Sequence, residues 1–222
     1  MNLPNGLLPP LLVWASLLAL LPVLGLAVRQ APWRALIARP ERISLFFGAA
    51  VALALLWSMR ADVTPGLSLH FLGITALTLI VGWSLALLAG TVAYIGYVLA
   101  GMAGWEGLGI GVLVSVLLPA TITQILLYVS RYYLPLNFFI YVFINAFGAA
   151  ILSALMVGFA TAGLFWAADF YSWDQLVHNY LRMMPLLALP EGVVNGMVMT
   201  ALALVAPHWV ISFDDALYLK SR

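Results

Sequence analysis

Seven apolar stretches dominate the sequence, and most of them are long enough to cross a lipid bilayer. A transmembrane helix needs about 20 apolar residues, and lipid forces every backbone polar group to be paired inside the protein. Charged residues make up only 8% of the chain, against about 25% in soluble domains. The stretches run over residues 7–28, 43–59, 69–81, 83–103, 108–129, 137–167 and 184–206. This pattern predicts an all-α, polytopic bundle of about seven transmembrane helices.

The region 69–103 is ambiguous, because it forms either one overlong span or two spans that turn at Gly82. Cytoplasmic loops carry an excess of Lys and Arg, which helps to choose between the two topologies. Two spans with the N-terminus outside place seven basic residues on the cytoplasmic side and two outside, whereas one span gives five against four. We therefore expect seven helices rather than six, in a multi-pass protein of the cell (inner) membrane. The N-terminus is expected outside and the C-terminus in the cytoplasm.

The polar connections are too short to form a soluble domain. Residues 1–206 are predicted to form one transmembrane domain, and residues 207–222 a short cytoplasmic tail. A net charge of +1 gives no field for binding nucleic acid, so the expected surroundings are membrane lipid. The chain contains no cysteine, which excludes a thiolate metal site and a cysteine nucleophile. It also contains no P-loop sequence, so we expect no enzyme and no ATP hydrolysis by this chain.

Two ionisable residues stand out within the apolar stretches. His70 begins the short third stretch, where a helix that stops short can line a cavity instead of facing lipid. Glu191 lies about seven residues into the last stretch, which is roughly 10 Å along a helix. Because an ionisable group is costly to bury in a membrane, such a Glu is a functional candidate. The alternatives are an interfacial, hydrogen-bonded His70 and a hydrogen-bonded structural Glu191.

Other polar and aromatic residues have structural interpretations. Asn145 and Asn195 are expected to bridge helices through hydrogen bonds, and Glu106 is expected to be solvated in a short outer connection. Small residues at positions 150, 154, 158 and 162 are typical of close helix packing. Tryptophans near the span ends predict an aromatic belt at the membrane surface: Trp57, Trp105, Trp166 and Trp173.

Three segments carry a resemblance to a known family. The chain opens with Met1-Asn2-Leu3-Pro4-Asn5-Gly6. Later it contains His70-Phe71-Leu72-Gly73-Ile74-Thr75, which leads to Gly82-Trp83, and then Pro190-Glu191-Gly192. Together these segments resemble the CbiM/NikM family, the substrate-binding membrane subunits of energy-coupling-factor transporters for cobalt and nickel. That family begins Met-His-Ile-Pro-(Asp/Glu)-Gly, and it carries a His-Leu-x-Gly-x-Thr segment and a Glu in its last helix.

The resemblance implies a square-planar metal site, which in this sequence falls on Met1, Asn2 and His70. The family uses the amine of the first residue, the backbone nitrogen and imidazole of the second, and a histidine of the third segment. Amine and imidazole nitrogens suit nickel, cobalt and copper. Asn2 replaces the family's histidine, so one imidazole is missing and the affinity is expected to fall. Glu191 and His178 are further candidates for completing such an altered site.

The resemblance also implies a function. The chain is expected to be the substrate-capture subunit, or permease, of an energy-coupling-factor type ABC transporter that takes up Co²⁺ or Ni²⁺. Separate ATPase and transmembrane coupling subunits supply the energy, and the ion is cargo rather than a tightly bound cofactor. Asn2 motivates an alternative, a divergent member that no longer binds metal and serves another small solute or a regulatory or structural role. A third alternative is a membrane protein of another class, such as an assembly subunit or an intramembrane enzyme.

Overall fold

Most of the described residues lie in helices. The computed structural model describes residues 3–219, and Met1, Asn2 and residues 220–222 lie outside it. In chain order the helices are α1 (Pro10–Gln30), α2 (Trp33–Ile37), α3 (Pro40–Ser58), α4 (Ile74–Val81), α5 (Trp83–Leu99), α6 (Trp105–Tyr133), α7 (Phe138–Ala167), α8 (Trp173–Asn179), α9 (Met184–Val205) and α10 (Asp215–Tyr218). Helices α1, α3, α4, α5, α6, α7 and α9 correspond to the seven apolar stretches.

The bundle is built to reside in a membrane. Helices α1, α3, α6 and α7, and the segment Trp173–Val205 that contains α8 and α9, are long and apolar enough to cross a bilayer. Helix α5 is apolar and slightly shorter. The predicted multi-pass helical bundle is therefore confirmed.

The chain reverses at Gly82, as the distribution of basic residues predicted. Gly82 has a φ of 85°, a left-handed conformation that favours glycine, and it separates α4 from α5. Near this turn, Leu85 lines a small cavity together with Leu36 of α2. At the other end of α5, the Arg60 side chain donates a 2.7 Å hydrogen bond to the carbonyl oxygen of Met102. Helix α5 thus joins opposite ends of the bundle, while the side that faces the cytoplasm stays a prediction.

A β-hairpin precedes α4, which the all-α prediction missed. Its strands are β1 (Arg60–Thr64) and β2 (Leu67–His70), paired antiparallel with Arg60 opposite His70. The dipeptide Pro65-Gly66 forms the turn, and Gly66 has a φ of 83°. The third stretch, expected to be helical from residue 69, becomes helical only at Ile74, because its first residues pair with β1. The signal was present in the turn-forming Pro-Gly dipeptide.

Small residues bring α7 and α9 into close contact. The four positions 150, 154, 158 and 162 are all buried, as the four-residue spacing predicted. A Cβ atom at Gly158 would overlap the sulfur of Met184 and lie 2.8 Å from its Cγ. The stripe of small residues therefore serves packing inside the protein.

The tail that follows α9 folds back against the end of α4. The N–H groups of Ile211 and Ser212 donate to the carbonyl oxygens of Ile80 (2.9 Å) and Leu79 (3.2 Å). The Arg131 side chain of α6 donates to the Ser212 carbonyl oxygen at 2.5 Å. The described part of the tail thus supplies partners for the last carbonyl groups of α4. Its cytoplasmic location stays a prediction.

Helix α4 is too short to cross a bilayer by itself. Its eight residues span about 12 Å, whereas the hydrocarbon core of a bilayer is about 30 Å thick. Non-helical backbone at membrane depth is tolerated only where protein or a water-filled cavity surrounds it. The hairpin at one end of α4 and the tail at the other lie in such protein surroundings, and this arrangement places His70 inside the bundle.

Candidate metal centre

His70 is a buried histidine at the end of β2. Its side chain is 7% exposed, and its ring centroid lies 6.1 Å from that of Trp57. Its Nδ1 lies 3.1 Å from the carbonyl oxygen of Phe71. When Nδ1–H donates this bond, Nε2 is the nitrogen with a lone pair, which is the arrangement of many metal-binding histidines.

The N-terminal segment is fastened to the loop that leads into α6. Leu3 is 0% exposed, and its carbonyl oxygen accepts a 2.7 Å hydrogen bond from the Gly104 N–H group. The Gly6 N–H group donates to a carboxyl oxygen of Glu106 at 2.6 Å. In return, the Glu106 N–H group donates to Oδ1 of Asn5 at 3.3 Å. Glu106, expected to be solvated in an outer connection, is partly exposed, and its carboxyl group also holds the start of the chain.

The start of the chain and the strand of His70 share one hydrophobic cluster. Leu3 packs in a group of buried side chains that includes Leu67 of β2 and Phe165 of α7. Met1 and Asn2, two of the four predicted site residues, lie outside the described residues. The structure therefore describes His70 and Glu191 directly, together with the anchoring of the segment that begins at Leu3.

Glu191 of α9 is buried beside the segment that follows His70, and its carboxyl group faces backbone N–H groups of that segment. Its side chain is 1% exposed. Its two carboxyl oxygens accept hydrogen bonds from the N–H groups of Leu72 and Gly73, each at 2.8 Å. One turn further along α9, Oδ1 of Asn195 accepts a bond from the Ala76 N–H group, also at 2.8 Å. The predicted bridging role of Asn195 between helices is thus confirmed.

Trp57 is a further residue of this region, and sequence reasoning placed it wrongly in the aromatic belt. Its indole N–H group donates a 3.0 Å hydrogen bond to the Leu72 carbonyl oxygen, and its side chain is fully buried. The other three tryptophans of the predicted belt are exposed. A tryptophan near a helix end fits both settings, because its ring is apolar and its N–H group needs a partner.

His178, the other histidine considered for the site, lies on the exposed face of α8. Its Nδ1 lies 3.1 Å from a carboxyl oxygen of Asp174, and its side chain is 54% exposed. Within residues 3–219, the structure contains no group of three or more His, Asp or Glu side chains arranged to hold a metal ion. His178 therefore belongs to a surface pair, in contrast to the buried His70.

Two cavities adjoin the His70 region. An open cleft of about 810 Å³ is bordered by the N-terminal segment, the hairpin and the loop before α6, including Asn5, Arg60 and Trp105. A much smaller cavity of about 20 Å³ lies beside His70 and is lined in part by Tyr180. The small cavity beside His70 has room for about one water molecule, whereas the larger cleft is lined by the strand and loops next to it.

Solved structures share this fold. A crystal structure described as a truncated transition metal transporter aligns with a TM-score of 0.72 at 18% identity, covering 91% of this chain and 98% of that chain. A second, described as a transition metal transporter, aligns with a TM-score of 0.73 at 18% identity, covering 92% and 93% of the two chains. Pairwise comparison with curated protein sequences gives no significant match. The two structural similarities establish the fold.

The sequence itself establishes the family. The profile described as "CbiM: Cobalt uptake substrate-specific transmembrane region" matches residues 2–209. The match covers nearly the whole bundle, from the N-terminal segment through α9, and it agrees with the resemblance found in the three motifs. This chain therefore belongs to the CbiM family of membrane components for transition metal uptake.

Proposed function

We propose that this chain captures a divalent ion of the cobalt and nickel class at a site made by the Met1 amine, Asn2 and His70. The observation that carries the proposal is the anchoring of the N-terminal segment beside the strand of His70. Leu3 and Leu67 share a buried cluster, so the N-terminal segment starts from a fixed point near the buried imidazole of His70. A fixed attachment point at Leu3 lowers the conformational freedom that the segment before it loses when it binds an ion.

The proposed ligands match the chemistry of the ion. Nickel, cobalt and copper prefer nitrogen ligands, and nickel and copper accept a square-planar arrangement. The Met1 amine, the backbone nitrogen of Asn2 and the imidazole of His70 supply three nitrogens. The side chain of Asn2 supplies an amide in place of the imidazole that the family has there. We therefore expect weaker binding than a site with two imidazoles provides.

The proposed transport cycle needs partner subunits. The family is a membrane component of transport, and the chain contains no P-loop sequence. We propose that ATPase and transmembrane coupling subunits of an energy-coupling-factor transporter bind this chain and drive its reorientation. With the N-terminus outside, the ion is captured from outside and released on the side of the C-terminal tail.

Calorimetric titration of Ni²⁺, Co²⁺, Cu²⁺ and Zn²⁺ into the purified protein tests this function. The protein carries its native N-terminus and a C-terminal tag. Tight one-to-one binding of one of these ions supports the proposal and identifies the ion. If none of the four ions binds, the alternative applies, in which a divergent family member with Asn2 serves another small solute or a regulatory role.

Replacing Asn2 by histidine tests whether the site is a weakened form of the family's site. The change restores the second imidazole, so we expect the nickel or cobalt affinity to rise by about tenfold or more, which corresponds to about 1.4 kcal/mol. The measurement is the same titration, with Gln30→His at an exposed position of α1 as the control for adding an imidazole elsewhere. No gain for Asn2→His would indicate that the site is built from other ligands.

Replacing Gly104 by alanine tests the anchoring of the N-terminal segment. A Cβ atom at Gly104 would overlap Oδ1 of Asn5 and lie 2.5 Å from its backbone nitrogen, so the segment must shift. Overpacking typically costs about 1–3 kcal/mol, and we expect at least a tenfold loss of metal affinity with the bundle still folded. Gly96→Ala in α5 is the control, since a Cβ atom there meets nothing within 4 Å. Equal affinities in the two variants would contradict the anchoring role.

A further inference from the structure

The buried start of α4 is capped by side chains from another helix. The first N–H groups of any helix lack partners within that helix, and inside a membrane no bulk water replaces them. The residue at the start of α4 is Gly73, which has no side chain to act as a cap. Glu191 of α9 instead accepts from the N–H groups of Leu72 and Gly73, just before the helix. Asn195 of α9 accepts from the N–H group of Ala76 in the first turn. The cap thus connects two segments that are 119 residues apart in sequence.

The peptide groups of Leu72 are held from two sides. Its N–H group donates to Glu191 of α9, and its carbonyl oxygen accepts the indole N–H of Trp57 from α3. The side-chain amide of Asn195 donates to a carboxyl oxygen of Glu191 at 2.8 Å, which orients the carboxyl group. Leu72 follows His70 by two residues. The backbone that carries His70 is therefore fixed immediately after the imidazole.

We infer that Glu191 and Asn195 are positioning residues of the metal site, which act on the ion only through the backbone of the His70 segment. This inference rests on the proposed function. Both carboxyl oxygens of Glu191 already accept hydrogen bonds from backbone N–H groups. Metal sites require ligand distances within about 0.2 Å of ideal values, so a small displacement of His70 weakens binding. Hydrogen-bonding partners outside the ligand set typically change metal affinity 10–100-fold.

The variants Glu191→Gln and Asn195→Ala test this role by nickel titration followed by absorption spectroscopy. We expect the affinity to fall about 10–100-fold, while the ligand-field bands at saturating nickel match those of the unmodified protein. Thr200→Val is the matched control, because Thr200 lies on the same helix and donates only to the Gly196 carbonyl oxygen of that helix. Its affinity and spectrum should be unchanged.

Two results would overturn the inference. Shifted ligand-field bands in Glu191→Gln would mean that Glu191 is itself a ligand. Unchanged affinity in both Glu191→Gln and Asn195→Ala would mean that neither residue positions the site. Asn195→Ala removes the bonds to the Ala76 N–H group and to the Glu191 carboxyl group, but it keeps the carboxyl group itself. It keeps the test decisive if Glu191→Gln does not fold.

Hydrogen exchange of the metal-free protein separates this inference from the proposed function. In Glu191→Gln we expect amides of residues 72–76 to exchange at least about tenfold faster than in the unmodified protein, with no change in Thr200→Val. Unchanged exchange would contradict the fixing of the 72–76 backbone by Glu191, whether or not the protein binds metal. If the unmodified protein binds no ion, the proposed function fails, and with it the role in metal binding. Faster exchange in Glu191→Gln would then support only the fixing of the backbone by Glu191.

Discussion

Replacing His70 by alanine is expected to abolish nickel and cobalt binding while the helical bundle stays folded. The change removes the one imidazole of the proposed site that the structure describes. We expect a loss of more than about a hundredfold in affinity, since even residues outside the ligand set contribute 10–100-fold. Truncation of a large buried side chain typically costs about 2–5 kcal/mol of stability. We expect the bundle to stay folded because the packing between the helices remains. Calorimetric titration, together with circular dichroism, measures both effects.

His178→Ala is the matched control for this experiment. It removes the same imidazole from a side chain that is 54% exposed and pairs with Asp174 on the surface. Its metal affinity and its helical content are expected to equal those of the unmodified protein. Affinity retained in His70→Ala, or lost equally in both variants, would remove His70 from the site.

Adding one residue before Met1 is expected to weaken metal binding by more than about a hundredfold. One added residue displaces the amine by up to about 3.5 Å, whereas ligand distances must hold within about 0.2 Å. The chain cannot slide back to compensate, because Leu3 is buried and its carbonyl oxygen is bonded to the Gly104 N–H group. Titration of the extended protein with nickel and cobalt measures the loss.

The control for the added residue is a single residue placed after Arg222, which should leave the affinity unchanged. Normal binding by the N-terminally extended protein would mean that the Met1 amine is not a ligand. Loss of binding in the extended protein, with binding retained in Gly104→Ala, would separate the amine itself from the anchoring of the segment behind it.

The helical bundle was predictable because its signal is local. Apolar length alone located the helix ends within a few residues in α7, where residues 137–167 were predicted and Phe138–Ala167 are observed. The turn at Gly82 followed from the distribution of basic residues, which reports on topology rather than on local structure. The hairpin was missed because its two short strands occupy the polar connection between two apolar stretches, where a loop was expected, and only Leu69 and His70 fall within the third stretch. The Pro65-Gly66 turn was its one clear local signal.

The site was predictable only in part, because its contacts join residues far apart in the chain. His70 and Glu191 could be selected singly, since ionisable groups are rare in apolar stretches. Nothing local indicates that Glu191 contacts Leu72 and Gly73, which lie more than a hundred residues earlier. The contact of Glu106 could not be predicted for the same reason, since its partner is the backbone of Gly6.

The two ends of α4 obtain their hydrogen-bond partners from segments that are synthesised much later. Glu191 follows Leu72 by 119 residues, so at about 5–20 residues per second its synthesis takes about 6–24 s longer. The tail residues Ile211 and Ser212 come later still. Until then, an eight-residue helix with unpaired backbone groups at both ends is unstable in lipid. Helix α4 and the His70 region therefore obtain their complete set of hydrogen-bond partners only after nearly the whole chain has been made.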